Sequence, residues 1–290
     1  MKSRKRTWHW IAFSIVNFQL FVLPGCVTDT LHHSPHPDRG AVRVTIGEES
    51  RAGRAPVCTV HVGEAVEEVA SGGAMEALFA PGEYDLLAHN CPAGITVSGT
   101  VASVTRLADG TLEPSPGELL ADRARVSVPA DDTLHATVIL APLTRRLTVR
   151  FTVTGGGDLA AIASVDASLT GVAPAVDMAT ATLQGDPARV KPVFVKAITP
   201  VADGSQTLLT AEMNLTGIVA GSRQVLVVTI TDTDGQQVAR ETDITALLST
   251  FNDGTTPLYL DADLELMTGA DFGFTITGWE NGEGGTGDAV

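Results

Sequence analysis

Side chains able to do chemistry are few in this chain, and they are scattered. Cysteines stand at positions 26, 58 and 91, and histidines at 9, 32, 33, 36, 61, 89 and 135. A serine nucleophile elbow needs Gly-x-Ser-x-Gly, a zinc hydrolase His-Glu-x-x-His, and a phosphate loop a glycine-rich turn closed by Lys-Ser or Lys-Thr. None of these occurs. Gly155-Gly156-Gly157-Asp158 lacks dinucleotide spacing and has no helical pattern behind it, so it is a loop. Asp232-x-Asp234-Gly235 supplies half of a calcium loop, but Ile230 precedes it and no Glu closes it. A hairpin turn explains it better. Asp261 and Asp263 share a strand face, as paired carboxylates of a glycosidase would. Both alternate with core leucines, so a solvated outer face accounts for them. His32, His33 and His36 have no Cys or carboxylate partner at ligand spacing. His61, His89 and His135 sit in or beside strands with no motif around them, where packing or surface roles are expected. No catalytic residue, no metal site and no cofactor is expected.

The elements that would position these groups are strands. Leu147, Val149, Phe151 and Val153 alternate with Thr148, Arg150 and Thr152; Leu258, Leu260, Ala262, Leu264 and Leu266 alternate with polar residues; so do Phe272, Phe274 and Ile276. Period two is the signature of a half-buried strand. Residues 225–231 and 237–242 form a hairpin around Asp232-Thr233-Asp234-Gly235. Further strands are expected over 42–46, 57–62, 75–79, 83–89, 95–101, 124–128, 134–140, 165–170, 193–198 and 208–215. The two best helical segments are 64–70 and 243–251, the second capped by Asp243. Many short strands between Gly, Pro and Asp turns make an all-β chain of antiparallel sandwiches. A sandwich takes about 100 residues, so two tandem domains fit, over 41–142 and 143–280. The seam is Ala141-Pro142-Leu143-Thr144-Arg145-Arg146, where Pro142 removes a ladder donor. Residues 281–290, Gly-rich and acidic, are expected to be a disordered tail.

Composition narrows the partners. The chain has 290 residues, 44% hydrophobic and 18% charged, which is enough apolar surface to build cores. Its formal charge is −15, and losing Lys2, Arg4, Lys5 and Arg6 takes −15 to −19. So acidic a body repels nucleic acid and does not adhere by charge to an anionic membrane. Past the N-terminal segment no apolar run reaches the ~20 residues of a spanning helix.

Met1–Arg6 is basic, residues 8–22 are mostly apolar, and Leu23-Pro24-Gly25-Cys26 follows. Residues 1–25 are a secretory signal, and Leu23-x-Gly25-Cys26 resembles the lipobox of bacterial lipoproteins. That resemblance implies cleavage before Cys26, diacylglycerol on its sulfur and acylation of its amino group. Each buried CH₂ contributes about 0.8 kcal/mol and one chain binds only marginally, so several chains on one residue make a lasting anchor. Residues 26–40, rich in Pro and His, are expected to be a flexible lipidated tether. With Cys26 committed to lipid, Cys58 and Cys91 are left either to pair or to lie as thiols on opposite faces.

Several stretches resemble the fimbrillin-related lipoproteins, which include anchor subunits of type V pili. After the lipobox come Leu78-Phe79-Ala80-Pro81-Gly82-Glu83-Tyr84-Asp85-Leu86-Leu87-Ala88-His89-Asn90 and Arg145-Arg146-Leu147-Thr148-Val149-Arg150-Phe151-Thr152-Val153. Ala167-Ser168-Leu169-Thr170-Gly171-Val172, Asp243-Ile244-Thr245 and Ile276-Thr277-Gly278-Trp279-Glu280-Asn281-Gly282 complete the series. The resemblance implies two tandem transthyretin-like sandwiches and assembly by strand complementation, in which one subunit's extended segment completes another's sheet. Polymerising members lose their first strand to an Arg-directed protease, whereas anchors keep it; Arg39, Arg43, Arg51 and Arg54 flank that strand here. The polar tail after Trp279 offers no alternating apolar set to donate, which favours an anchor or accessory subunit over a shaft subunit. Asp29-Thr30-Leu31 and Asp132-Thr133-Leu134 resemble the short O-glycosylation acceptors of these bacteria, at Thr30 and Thr133.

The resulting expectation is a non-enzymatic lipoprotein, anchored in the outer membrane by Cys26, surface-exposed, and partnered by fimbrillin subunits. A surface module binding glycan or host protein is the alternative, resting on fold analogy. An envelope enzyme ranks last, for want of any motif.

Overall fold

The computed structural model describes residues 32–47, 57–155, 162–201, 204–267 and 273–282. Twenty-one strands and a 3-10 helix, Phe251–Asp253, lie in these residues, with no α-helix among them. In chain order the strands begin β1 (Ala41–Ile46), β2 (Val57–Val62), β3 (Ala65–Ala70), β4 (Gly73–Ala74) and β5 (Gly82–His89). Next are β6 (Ile95–Ser98), β7 (Val101–Val104), β8 (Leu120–Val128), β9 (Thr133–Val138) and β10 (Ala141–Pro142). The middle set is β11 (Arg145–Gly155), β12 (Ile162–Val172), β13 (Ala175–Asp177), β14 (Thr182–Gln184), β15 (Ala188–Val190) and β16 (Val195–Val201). Last are β17 (Gly204–Leu215), β18 (Val225–Asp232), β19 (Gln237–Asp243), β20 (Leu258–Leu266) and β21 (Phe274–Gly282).

A three-stranded sheet, β4-β1-β9, faces a five-stranded one, β10-β8-β5-β2-β3. Their inner faces supply one core, with Val42, Val44, Val60, Val62, Leu86 and Leu140 each at most 1% exposed. Sheets β16-β17-β11-β20-β21 and β15-β12-β18-β19 enclose a second core around Phe151, Leu169, Val228, Ile230 and Leu264. The fold is thus all-β, built of sandwiches. In each sandwich an early strand runs parallel to a late one: β1 with β9, and β11 with β20.

The junction is more than a linker. The fifth sheet, β14-β13-β7-β6, joins a hairpin from the first half to a hairpin from the second, through Ala175↔Ser103 and Asp177↔Val101. The Leu112 amide donates to Arg189 O at 2.8 Å, and the Asn214 amide to Pro114 O at 3.0 Å. A small core of Leu87, Ala102, Leu119, Ala121, Val176 and Met178 lies beneath this sheet. Pro142, at the expected seam, sits in the edge strand β10 against Leu120, where the missing amide costs no ladder bond.

Several expectations need correction. Residues 64–70 are not helical. Gly63, at φ 58°, and Glu64 turn β2 back into β3, and Ala65-Val66-Glu67-Glu68-Val69-Ala70 pairs along β2 with period two. Residues 243–251 are not helical but form turns leading to the 3-10 helix, whose N-cap is Thr250; Asp243 ends β19 and closes a local turn, its Oδ1 accepting from the Thr245 amide at 3.0 Å. The Thr245 contacts and Arg223 hold that carboxyl down to about 2. β21 runs through Asn281 and Gly282, which pair with Leu260 and Tyr259, so those residues belong to the sheet and not to a tail. The tether, too, is bonded from His33 onward. Asp131, at φ 53°, accepts from the amides of His33 and Ser34, each at 2.8 Å, and from Ser34 Oγ at 2.9 Å. Gly40 then bridges to Phe79. A Cβ at Gly40 would collide with the Pro129 carbonyl, so a larger residue would push the chain away from β1's entry. Residues 1–31 and 283–290, with Cys26, the lipobox Leu23-Pro24-Gly25, Thr30 and most of the tail, lie outside the described residues.

Candidate functional site

Edges are where an all-β protein can bind another chain, because an edge strand carries unpaired N–H and C=O groups. β16 pairs with β17 alone, from Val195↔Thr210 to Val201↔Gly204. It enters from a crossing segment. β15 pairs with β12 in the other sheet, Lys191-Pro192-Val193 then traverses the side of the sandwich, and Phe194 anchors the crossing by stacking on Phe151 at 5.2 Å. β15 has only three residues and engages β12 at Leu169–Val172, so toward 162–168 that side of β12 meets a lone bridge, Asp166↔Val193. Among the described residues, that side of β12 and the outer side of β16 therefore have no ladder partner beyond this bridge.

The side chains mark the same opening. Val193, Val195 and Ile198 are 68%, 65% and 66% exposed. Ile198 stands opposite Thr207 and Lys196 opposite Leu209, and both partners are buried, so Ile198 is on the core side of β16 and yet exposed. A groove of about 490 Å³ lies beside the crossing segment that leads into β16, its wall part apolar, from Val165, Val193 and Val227, and part polar, from Asp166, Ser168 and Thr229. One extended segment laid there would meet a mixed wall of apolar and polar side chains and the main-chain groups of an edge strand, which is the chemistry of strand addition.

Three other edges are blunted. β3 carries Glu67 and Glu68, with the Glu67 carboxylate accepting from the amides of Glu76 and Ala77. β19 alternates Arg240 and Glu241 with smaller residues. β21 is irregular against β20 between Asp261 and Asp263, where Gly278 takes φ 68°. Charge and bulges are the usual protection of an edge; β16 has one Lys and one Pro.

Asp261 and Asp232, acidic side chains that the sequence singled out, have structural partners. Asp261 is bound to Arg150, in register on β11, through Nε–Oδ1 and Nη2–Oδ2 contacts of 2.6 Å each, and Arg150 also lies over the Tyr259 ring. Asp232 closes the β18–β19 hairpin by accepting from the amides of Asp234 and Gln236 at 2.9 and 2.7 Å. No three His, Cys, Asp or Glu side chains among the described residues converge to hold a metal. Cys58 and Cys91 are both free. Cys58 faces the first core, where burial pushes its thiol up, while Cys91 Sγ sits 3.3 Å from Thr59 Oγ1 on the other face of β2. Alternation along the strand thus keeps the two sulfurs on opposite faces. Thr133 is half-buried at the start of β9, opposite Ala41. Arg39 and Arg43 donate to the carbonyls of Leu78 and Gly72, so both are engaged by the neighbouring chain.

The open seam went unread in the sequence. Residues 193–198 looked like an ordinary strand; the available signal was that Val193, Val195 and Ile198 do not alternate cleanly with polar residues, so no single face can bury all three. The meeting of His61 and His89 was also missed, because it depends on the β2–β5 register.

A model of the fimbrillin-A associated anchor proteins Mfa1 and Mfa2 matches residues 61–283, most of the chain. The chain belongs to this family. The match begins inside β2, leaving β1 outside it, and contains the whole β12–β16 seam of this Mfa1/Mfa2 family member. Solved structures agree on the fold. A protein described as a candidate adhesin from Bacteroides ovatus superposes with a TM-score of 0.59 at 14% identity, over 81% of this chain and 90% of its own. One so described from Bacteroides thetaiotaomicron gives 0.54 at 11%, over 80% and 93%, and a second from Bacteroides ovatus gives 0.52 at 12%, over 85% and 95%. No curated protein matches the chain.

Proposed function

We propose that this protein is a non-enzymatic outer-membrane lipoprotein, held by lipid on Cys26, that serves as a fimbrial anchor or accessory subunit in cell adhesion. The observation that carries the reading is the family match over residues 61–283 together with an apolar edge, β16, left open beside a groove inside those residues. A fimbrillin subunit would add a strand there, binding through main-chain hydrogen bonds with alternate side chains in the groove. β1 fits the retained first strand of an anchor. It is paired on both sides, with Val42 and Val44 buried, and so is a finished part of its sheet. The two sandwiches would be the two domains, over 41–142 and 143–280, with β7 and β13 tying them together. The exposed large apolar side chains among the described residues are aliphatic, which suits a strand better than a sugar ring.

Two experiments test the reading. Cys26→Ser should move the protein from the membrane pellet to the soluble fraction; a processed variant that stays in the pellet removes the lipid anchor from the account. Affinity capture of the lipidated protein from its own envelope should bring down a fimbrillin-type subunit, and Val195→Lys with Ile198→Lys should abolish that capture without unfolding the protein.

A further inference from the structure

Lysine is rare in this chain. Past residue 5 there are two, Lys191 in the crossing segment and Lys196 on β16 itself. The structure treats them differently. Lys191 is paired, its Nζ 2.5 Å from Asp109 Oδ2 in the loop between β7 and β8. Lys196 is exposed and enters none of the ion pairs among the described residues. Asp166, the carboxylate lining the groove, accepts from Ser164 Oγ at 3.2 Å and pairs with neither lysine. The direction of Lys196 matters as much as its charge. It stands opposite Leu209, which stands opposite Phe151, and both belong to the second core. Side chains directly opposite share a face, so Lys196 lies in one row with Ile198 on the core side of an outer strand. A charge that points inward from an edge strand is a usual protection against pairing of one edge with another.

We propose that Lys196 selects what can be added to β16: an extended segment with a carboxylate opposite Lys196 and an aliphatic side chain, in the same row, opposite Ile198. The proposal rests on the reading of β16 as the receiving edge. Main-chain groups of an outer strand form a ladder with any sequence, so they supply affinity without discrimination. Discrimination has to come from the side chains that the added strand covers. Covering Lys196 without a counter-charge strips water from an ammonium group, which is costly unless it is paired. The two carboxylates on the page beside this segment, Asp109 and Asp166, are already engaged, so the counter-charge comes with the partner. A second copy of β16 cannot bring it. The strand reads Val-Lys-Ala-Ile-Thr-Pro-Val and has no acid. Laid against itself, it would place the second lysine in the same core-facing row, opposite or diagonal to the first, and like charges so placed repel. The same side chain therefore admits an acidic strand and keeps the edge from closing on its own kind.

Two end-blocked peptides test this on the full chain: Thr-Val-Thr-Asp-Thr-Val-Thr, and the same peptide with Lys in place of Asp. Calorimetric titration should show the Asp peptide binding roughly tenfold more tightly than the Lys peptide. The preference should shrink in about 1 M salt, and Lys196→Glu should reverse it. Lys196→Val removes the guard, and sedimentation should then show dimers that grow with concentration, whereas the native chain stays monomeric. Lys196 is exposed, so these variants should fold, and their unfolding midpoints check that they do. Equal binding of the two peptides by the native chain overturns the selecting role and leaves β16 an unselective receiving edge. A preference that survives in Lys196→Glu also overturns it, since the discrimination then lies elsewhere. Binding of neither peptide, with Lys196→Val still monomeric, overturns the receiving-edge reading and this proposal with it.

Discussion

β1 and β16 are opposites. β1 is the middle strand of its sheet, bonded to β4 and β9, with Val42 and Val44 shut into the core. β16 is an outer strand with one neighbour, and the large apolar side chains on and before it face water. Both are short and largely apolar, so composition does not separate them. The difference lies in how many neighbours the topology supplies. The first sandwich fills both flanks of β1, whereas in the second, among the described residues, β16 has one strand neighbour and β12 over 162–168 meets only the Asp166↔Val193 bridge on that side. Apolar content in a strand therefore signals stability when both flanks are filled and association when one is not.

The largest expected effect comes from charging the closed strand. Val42→Asp buries an unpaired carboxylate and should cost more than about 4 kcal/mol, read by denaturant unfolding. Val195→Lys places its charge in water and should change stability by less than about 0.5 kcal/mol. Equal losses from the two variants would mean that β16 is covered in the free protein, and the contrast would collapse.

Trp279, on the opposite edge from β16, comes next. Its ring meets Phe151 edge-on at 5.6 Å, and its Nε1 is buried without a partner. Trp279→Ala should cost about 3 kcal/mol, while Trp279→Phe, which removes the unpaired N–H, should cost under about 1 kcal/mol. In a chain cleaved before Cys26 this is the only tryptophan, so its emission should start blue and shift red on unfolding. Emission like that of free indole in the folded state would place the ring in solvent.

A smaller effect separates the sandwiches by pH. The folded pKa values of His61 and His89 are lowered from 6.5, mainly by burial, so the unfolded chain binds more protons. Their contribution is fully present above about 6.5 and is lost as pH falls through the lowered folded values. Unfolding of the first sandwich should become easier in that window, and His61→Gln should flatten the dependence. The smallest effect is at the tether. Asp131→Ala frees the amides of His33 and Ser34, and hydrogen exchange over 32–36 should speed up with no change in β16. Because those contacts hold the Asp131 carboxyl below its usual range, acid should release the same segment in the native chain.

Much of this architecture was legible because it is written in local patterns. Period two at Leu147–Val153 and Leu258–Leu266 marked β11 and β20, and Asp232 to Gly235 marked the β18–β19 turn. Ala65–Ala70 misled because alanine and glutamate favour helix, while the Gly63 turn and pairing to β2 decided the outcome. The β7–β13 junction was invisible because its two strands come from hairpins far apart in sequence, each too short to show a period. The candidate site was hidden for a related reason. An open seam is a missing neighbour, and the uneven spacing of Val193, Val195 and Ile198 shows only that one face cannot bury all three, not that a neighbouring strand is lacking.

Hydrogen exchange on the protein, alone and with a fimbrillin subunit, tests the central claim most directly. The account expects amides along 193–198 and 162–168 to slow when the subunit binds, while those of β1, already paired on both sides, stay as they were. Unchanged exchange along β12 and β16, with the change falling instead on β1, would contradict it.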